Sequence, residues 1–139
     1  MSDHDKEVLQ KVKQWLSYAD EDLRLAQHGL TITSGCPYRL IAYHAQQCVE
    51  KYLKAYLVYH GIDFPYTHNI SRLLELCAEK ADWTETIQAA EELTPYAITT
   101  RYPGEGEVVT EEEARYAISI ATRVRQMVQT VLLREGIEL

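Results

Sequence analysis

The sequence predicts an all-α fold, an antiparallel up-and-down bundle of three long helices with two shorter helices between the second and the last. Apolar residues recur at three- and four-residue spacing through almost every segment, and no alternating pattern long enough for a sheet occurs. The connections contain glycine and proline, as expected between neighbouring helices. A chain of 139 residues suffices for one hydrophobic core, so residues 1–139 are expected to form a single domain.

The first helix is predicted from an apolar stripe that extends from Val8 to Ala26. Gly29 is a suitable stop for this helix, because glycine readily adopts the conformation that ends one. The loop TITSGCP follows, and Pro37 at its end suits the first turn of the next helix. The first helix is therefore expected to turn back through a short connection.

The second helix is expected to extend to about Tyr59, where Gly61 stops it. A helical wheel divides it into a face of small residues and tyrosines and a polar face. The polar face consists of Arg39, Gln46, Gln47, Glu50, Lys51 and Lys54. The simplest interpretation is a core helix whose polar face is solvated.

Two shorter helices are predicted next. Thr67 or Asn69 can cap a leucine-rich third helix. Asp82 followed by Glu85 resembles a capping box and predicts a fourth helix. Pro95 falls inside this fourth segment, where it is expected to kink or divide the helix.

The last helix is predicted after a loop over residues 101–109, whose sequence RYPGEGEVV contains one proline and two glycines. Thr110 and Glu113 have the spacing of a capping box. An apolar stripe then extends to Val131, and Gly136 ends the helix.

Charge and cysteine content narrow the function and location. A net charge of −7 argues against a protein that holds nucleic acid mainly through counterion release. No apolar run approaches the roughly 18–20 residues of a membrane helix. The polar, acidic start MSDHDKEVLQ is unlike a signal peptide. Three widely spaced cysteines without metal-site spacing indicate reduced thiols, so we expect a cytoplasmic protein with no membrane association and no metal or cofactor.

Four blocks of sequence together resemble the HEPN family (higher eukaryotes and prokaryotes nucleotide-binding domain). They are WLSYADEDLRLA, YHAQQCVEKYLKAYLVYHG, THNISRLLELC and LTPYAITTRYPGE. The resemblance extends over about residues 8 to 132 and implies an all-α bundle that commonly forms a homodimer. The family includes metal-independent ribonucleases, often toxins, members paired with a small nucleotidyltransferase antitoxin, and members that bind nucleotides or partners only.

The family resemblance also implies where catalytic residues would lie. Ribonucleases of this family carry Arg-x4–6-His near the start of a late helix, where His can move a proton and Arg can stabilise phosphate charge. The last helix here has Arg115 but no histidine, so the usual catalytic position is empty. The same spacing occurs at Arg39 and His44 in the second helix, but five residues on a helix separate their side chains by about 140°.

His68 and the Arg101–Tyr102 pair are further candidates. His68 lies at a predicted helix N-terminus, where free N–H groups favour an anion such as phosphate. Arg101 suits bidentate contact with phosphate. Structural roles stay open: His68 as a local cap, and Arg101 as an ion-pair partner of Glu50. The candidates for nucleotide or RNA binding are His68, Arg101, Tyr102, Lys51 and Lys54.

Three functions follow as hypotheses. The first is a nucleotide- or RNA-binding and interaction module that partners a minimal nucleotidyltransferase in a toxin–antitoxin-like pair. The second is a metal-independent ribonuclease that acts as a homodimer, with Arg39, His44 and His68 as the catalytic candidates. The third is a structural dimerisation domain.

Overall fold

A computed structural model describes residues 2–97 and 108–138, and within these ranges every regular element is a helix. The elements are α1 (Asp3–Gly29), α2 (Tyr38–Tyr59), α3 (Ile70–Cys77), a 3₁₀ helix (Thr84–Tyr96) and α4 (Glu111–Arg134). The predicted all-α fold, with two short helices between the second long helix and the last, is confirmed. None of the helices in the described ranges is long and apolar enough to cross a membrane.

The first two helices are antiparallel. Trp15, in the first half of α1, lies beside Lys54 near the end of α2, with the Lys54 Nζ 5.6 Å from the ring centroid. Asp22, further along α1, pairs with Lys51 and with His44, which lie progressively earlier in α2. The short connection after Gly29 therefore reverses the chain, as predicted.

The second and last helices are parallel. The Tyr38 hydroxyl at the start of α2 donates to a Glu111 carboxylate oxygen at the start of α4, at 2.9 Å. At the other end, the Tyr59 hydroxyl donates to the backbone carbonyl of Glu135, at 3.0 Å. This parallel arrangement follows from an up-and-down bundle, because α3 and the 3₁₀ helix together carry the chain back between them.

The core is centred on α2, which packs against both α1 and α4. The largest fully buried side chains of α2 are Tyr52, Leu53, Tyr56 and Leu57. Alanines on all three long helices lie in the same core: Ala19, Ala42, Ala45, Ala55, Ala117 and Ala121. Small side chains let helix axes approach closely, so α2 can be enclosed on several sides by its neighbours.

Helix ends are capped largely as predicted. Asn69 caps α3 by accepting from the Arg72 N–H, at 3.2 Å. Thr110 and Glu113 form the predicted capping box at the start of α4. A second capping box, between Ser2 and Asp5, starts α1 five residues before the predicted apolar stripe at Val8.

The fourth segment differs from its prediction. It is a 3₁₀ helix, its N-cap is Trp83, and no side chain caps it, so the expected Asp82–Glu85 capping box does not form. The backbone leaves helical geometry at Ile87, whereas Pro95 lies at the end of the element. The physical reason is visible in its buried residues, which are Thr84, Ile87, Ala90 and Leu93. A spacing of three residues fits the 3.0 residues per turn of a 3₁₀ helix.

The polar face of α2 also differs from its prediction. Gln46, Glu50 and Lys54 were expected in solvent, but they are 0%, 1% and 9% exposed. Residues from α1 and from the loop before α3 cover this face. Burial is tolerated because these polar groups satisfy one another through hydrogen bonds. Only Arg39, at the start of the helix, is exposed as the wheel predicted.

The central position of α2 predicts a large difference between two of its leucines. Leu53→Ala should lower the free energy of unfolding by about 2–5 kcal/mol, because it leaves a cavity in the core. Leu40→Ala, on the same helix but 37% exposed, should lower it by less than about 1 kcal/mol. Urea unfolding followed by circular dichroism measures both variants, and equal losses would contradict this placement of α2.

Candidate functional site

A buried carboxylate, Glu50, lies at the centre of a polar cluster on α2. The His68 Nδ1 is 2.8 Å from Glu50 Oε2, and the Lys54 Nζ is 3.3 Å from Oε1. The side-chain amides of Gln46 and Gln47 donate to the same Oε2, at 3.1 Å for Gln47. We call these five residues the Glu50 cluster. A charge at this depth needs such partners, since an unpaired buried carboxylate is strongly destabilising.

Helical spacing builds most of this cluster. Gln46, Gln47 and Lys54 stand four residues before, three residues before and four residues after Glu50, which are the positions that face it on a helix. His68 comes instead from the loop before α3. Its backbone carbonyl accepts a further bond from the Gln46 amide, at 3.4 Å. The cluster therefore attaches this loop to the middle of α2.

Lys54 is held inside the structure by more than its carboxylate partner. Its Nζ lies 5.6 Å from the centroid of Trp15 and 5.8 Å from that of Phe64. The two rings meet edge to face, with centroids 6.5 Å apart. A cation over aromatic faces is stabilised by their quadrupoles. Lys54, which was predicted to bind a ligand, is therefore packed against these two rings and paired with Glu50.

The outer edge of the Glu50 cluster is formed by His68 and Tyr66. Tyr66 is 90% exposed, and its ring contacts the His68 ring at 5.6 Å between centroids and 74° between planes. The carboxylate of Glu50 can only accept, so the proton of neutral His68 lies on Nδ1. Nε2 is then an acceptor. Tyr66 and His68 therefore place an exposed aromatic ring beside an imidazole whose orientation is fixed by Glu50.

A second carboxylate–histidine pair lies between α1 and α2. The His44 Nδ1 is 2.8 Å from Asp22 Oδ1, and the Lys51 Nζ is 2.5 Å from Asp22 Oδ2. Asp22 is buried, whereas His44 and Lys51 are half-buried. The ring of Tyr43 packs edge to face on His44. Lys51, the other lysine predicted to bind a ligand, is therefore neutralised by Asp22.

Asp20 anchors a network that connects all three long helices. The Tyr52 hydroxyl donates to Asp20 Oδ1, and the Arg125 Nε donates to the same oxygen at 3.0 Å. The Gln129 amide donates to the Tyr52 hydroxyl at 3.3 Å. Burial, together with the bond to Asp20, raises the pKa of Tyr52. Tyr52 therefore stays protonated, and the network serves to hold α1, α2 and α4 together.

The structure separates the first pair of catalytic candidates. Arg39 is exposed, and no hydrogen bond or ion pair joins it to His44 in the part of the chain that is described. His44 faces Asp22 on α1 instead. The contact of His44 with α1 and the exposure of Arg39 are what the helical wheel leads us to expect.

Three N–H groups near the start of α3, where an anion was expected beside His68, already donate to side-chain oxygens. The Ile70 N–H donates to Thr94 Oγ1 at 3.2 Å, and the Arg72 N–H donates to Asn69 Oδ1 at 3.2 Å. The Asn69 N–H donates to Thr67 Oγ1 at 3.0 Å. The side-chain hydrogen bond described for His68 is to the carboxylate of Glu50.

Two candidates, Arg101 and Tyr102, lie outside the described residues, as does the proposed Glu50–Arg101 ion pair. Within residues 2–97 and 108–138, no group of three or more histidine, cysteine, aspartate or glutamate residues could hold a metal ion. Sequence reasoning missed Tyr66 and Asp22. The available signal was the three-residue separation of Asp22 from Ala19, which places an acid on the buried stripe of α1.

Comparisons with known proteins agree with this architecture. Residues 12–131 match the family model described as the HEPN domain. The solved structure of ST0689, an archaeal HEPN homologue, is 30% identical with a TM-score of 0.67, and the match covers 86% of this chain and 95% of that one. TT1696 from Thermus thermophilus is 30% identical with a TM-score of 0.71, covering 86% of this chain and 97% of that one. No curated protein shows significant similarity.

The Glu50 cluster predicts a strong effect on stability. Glu50→Ala should lower the free energy of unfolding by about 3–5 kcal/mol, because it leaves the buried Lys54 ammonium without its carboxylate. Glu75→Ala is the control, since the Glu75–Arg72 pair is solvent-exposed and worth about 1 kcal/mol or less. Chemical denaturation compares the two variants. A Glu50→Ala protein as stable as the Glu75→Ala protein would rule out the buried ion pair.

Proposed function

The chain belongs to the HEPN domain family, and on that premise we propose that it is a nucleotide- or RNA-binding and interaction module. We propose that residues 1–139 form one domain, that it assembles as a homodimer, and that it partners a minimal nucleotidyltransferase in a toxin–antitoxin-like pair. Its three cysteines are unpaired, which suits a reducing compartment such as the cytoplasm.

The juxtaposition of Tyr66 and His68 supports ligand binding more than any other feature. Proteins that recognise single-stranded RNA stack bases on aromatic side chains and hydrogen-bond their polar edges. Tyr66 supplies an accessible ring, and the buried Glu50 holds His68 in a fixed orientation beside it. A surface of this kind suits a nucleotide or an unpaired stretch of RNA.

Charge alone does not support binding of a polyanion. The segment 35–60 has a formal charge of +2, from one arginine and two lysines against one glutamate. The two lysines, however, pair with Asp22 and Glu50. Few cations there are free to replace the counterions of a nucleic acid, so we propose recognition through stacking and hydrogen bonds.

An exposed apolar face on α1 supports the interaction role. Tyr18 and Leu25 are seven residues apart, which places them on the same face of the helix, and they are 50% and 55% exposed. Aromatic and aliphatic side chains are typical anchors of protein interfaces. We propose that this face of α1 contacts the protein partner.

The partner hypothesis predicts a stable complex. A mixture of this protein with a minimal nucleotidyltransferase from the same genome should elute as one species at micromolar concentration in size-exclusion chromatography with light scattering. Leu25→Asp should weaken the complex at least about tenfold, because it buries an unpaired charge in the interface. Leu133→Asp, at an equally exposed leucine of α4, is the control. Separate elution of the wild-type proteins would contradict the partnership.

A metal-independent ribonuclease is the second candidate. The observation in its favour is that His44 and His68 each place Nδ1 2.8 Å from a carboxylate, which leaves Nε2 to accept a proton. A general base oriented in this way could remove the proton of a 2′-hydroxyl.

This second candidate predicts RNA cleavage in the presence of EDTA. His68→Ala or His44→Ala should reduce the rate at least about 100-fold, the usual contribution of a general base. Gel analysis of a labelled RNA measures the rate, with Arg72→Ala as a control for loss of an exposed cation. Cleavage that is unchanged in both histidine variants would eliminate the enzyme hypothesis, and absence of any nucleotide or RNA binding at low salt would favour a structural dimerisation domain.

A further inference from the structure

We infer that Tyr66 and His68 form a ribonucleotide subsite, in which the nucleobase stacks on Tyr66 and the ribose 2′-hydroxyl donates to His68 Nε2. This inference rests on the proposed function, because it names the ligand class of the same site. Such a subsite would prefer ribonucleotides over deoxyribonucleotides, and it would accept any of the nucleobases.

The first step concerns Tyr66. Most of the described large apolar residues are packed in the core, but Tyr66, on the loop before α3, is 90% exposed. An aromatic ring stacks with every nucleobase, because each base has a π-face. The one ring contact described for Tyr66 is its edge-to-face contact with His68. The ring is therefore accessible to a planar ligand without any rearrangement of the core.

The second step concerns the proton on His68. Glu50 is fixed by the two glutamine amides and by Lys54, so its carboxylate is a stationary acceptor. His68 donates its Nδ1 proton to it at 2.8 Å. In the neutral imidazole the remaining nitrogen, Nε2, is an acceptor that a ligand hydroxyl can satisfy. A ribose hydroxyl is such a donor, whereas a phosphate oxygen without a proton is not.

The third step concerns charge and spacing. The carboxylate of Glu50 lies 2.8 Å from the imidazole, and the ammonium of Lys54 is engaged by Glu50 and by two aromatic rings. Among the described residues, a phosphate at Nε2 would thus gain little attraction from these charges. The centroids of Tyr66 and His68 are 5.6 Å apart, so one small ligand can contact both rings. The pair therefore suits one nucleoside unit.

Isothermal titration calorimetry with AMP, CMP and their 2′-deoxy forms tests the subsite. The wild-type protein should bind each ribonucleotide about two- to tenfold more tightly than its deoxy form, the effect of one hydrogen bond. Tyr66→Ala should weaken binding of both bases at least about fivefold, and Tyr66→Phe, which keeps the aromatic ring, should weaken it less than Tyr66→Ala does. Tyr116→Ala, at a half-exposed tyrosine that donates to Glu92, is the control and should change nothing.

His68→Asn separates the hydrogen bond to ribose from the support of Glu50. An asparagine amide nitrogen can replace the imidazole Nδ1 as a donor to Glu50, but it offers no acceptor at the position of Nε2. The variant should keep its fold, checked by its unfolding midpoint, and should lose the preference for ribose.

Two negative results have different meanings. Equal affinity of the wild type for ribose and deoxyribose forms, or binding that Tyr66→Ala leaves intact, overturns the subsite while nucleotide binding itself stands. If the wild type binds none of the four nucleotides and no short single-stranded RNA, both the subsite and the proposed function are overturned.

Discussion

The carboxylate of Glu50 is the constraint on which the site and much of its surroundings depend. A charge in the middle of the central helix, α2, can persist only if cations and donors surround it. Lys54 lies one turn along the same helix, but His68 must arrive from a loop that is distant in sequence. The need to pair one charge thus fixes where the loop before α3 lies on α2, and it orients the histidine at the surface.

The second carboxylate, Asp22, follows the same logic on a different side of α2. It pairs with His44 and Lys51, whose side chains point towards α1. His44 and Glu50 are six positions apart, which corresponds to about 120° around a helix. The two histidine–carboxylate pairs therefore face different neighbours, and within one chain they form two separate sites and not a joint acid and base.

Periodicity predicted most of the fold because helix capping and apolar spacing are local properties. Thr110 with Glu113, Asn69 and the end of α2 at Tyr59 all depend on residues within one or two turns. The 3₁₀ helix was missed because a three-residue spacing over one short segment, from Ile87 to Leu93, fits an α-helix almost as well.

The sequence predicted only part of the candidate site, because burial of the polar face of α2 depends on neighbouring segments. A helical wheel represents one helix in solvent, so it assigns Glu50 and Lys54 to water, and it cannot include the rings of Trp15 and Phe64 that cover them. Net charge has the same weakness, because it counts Lys54 as a free cation although its charge is compensated. Once these charges are paired, the property that distinguishes the surface is an exposed aromatic ring beside an oriented imidazole. This is why we propose a ligand that offers a flat base and a hydroxyl donor, and not one that offers only negative charge.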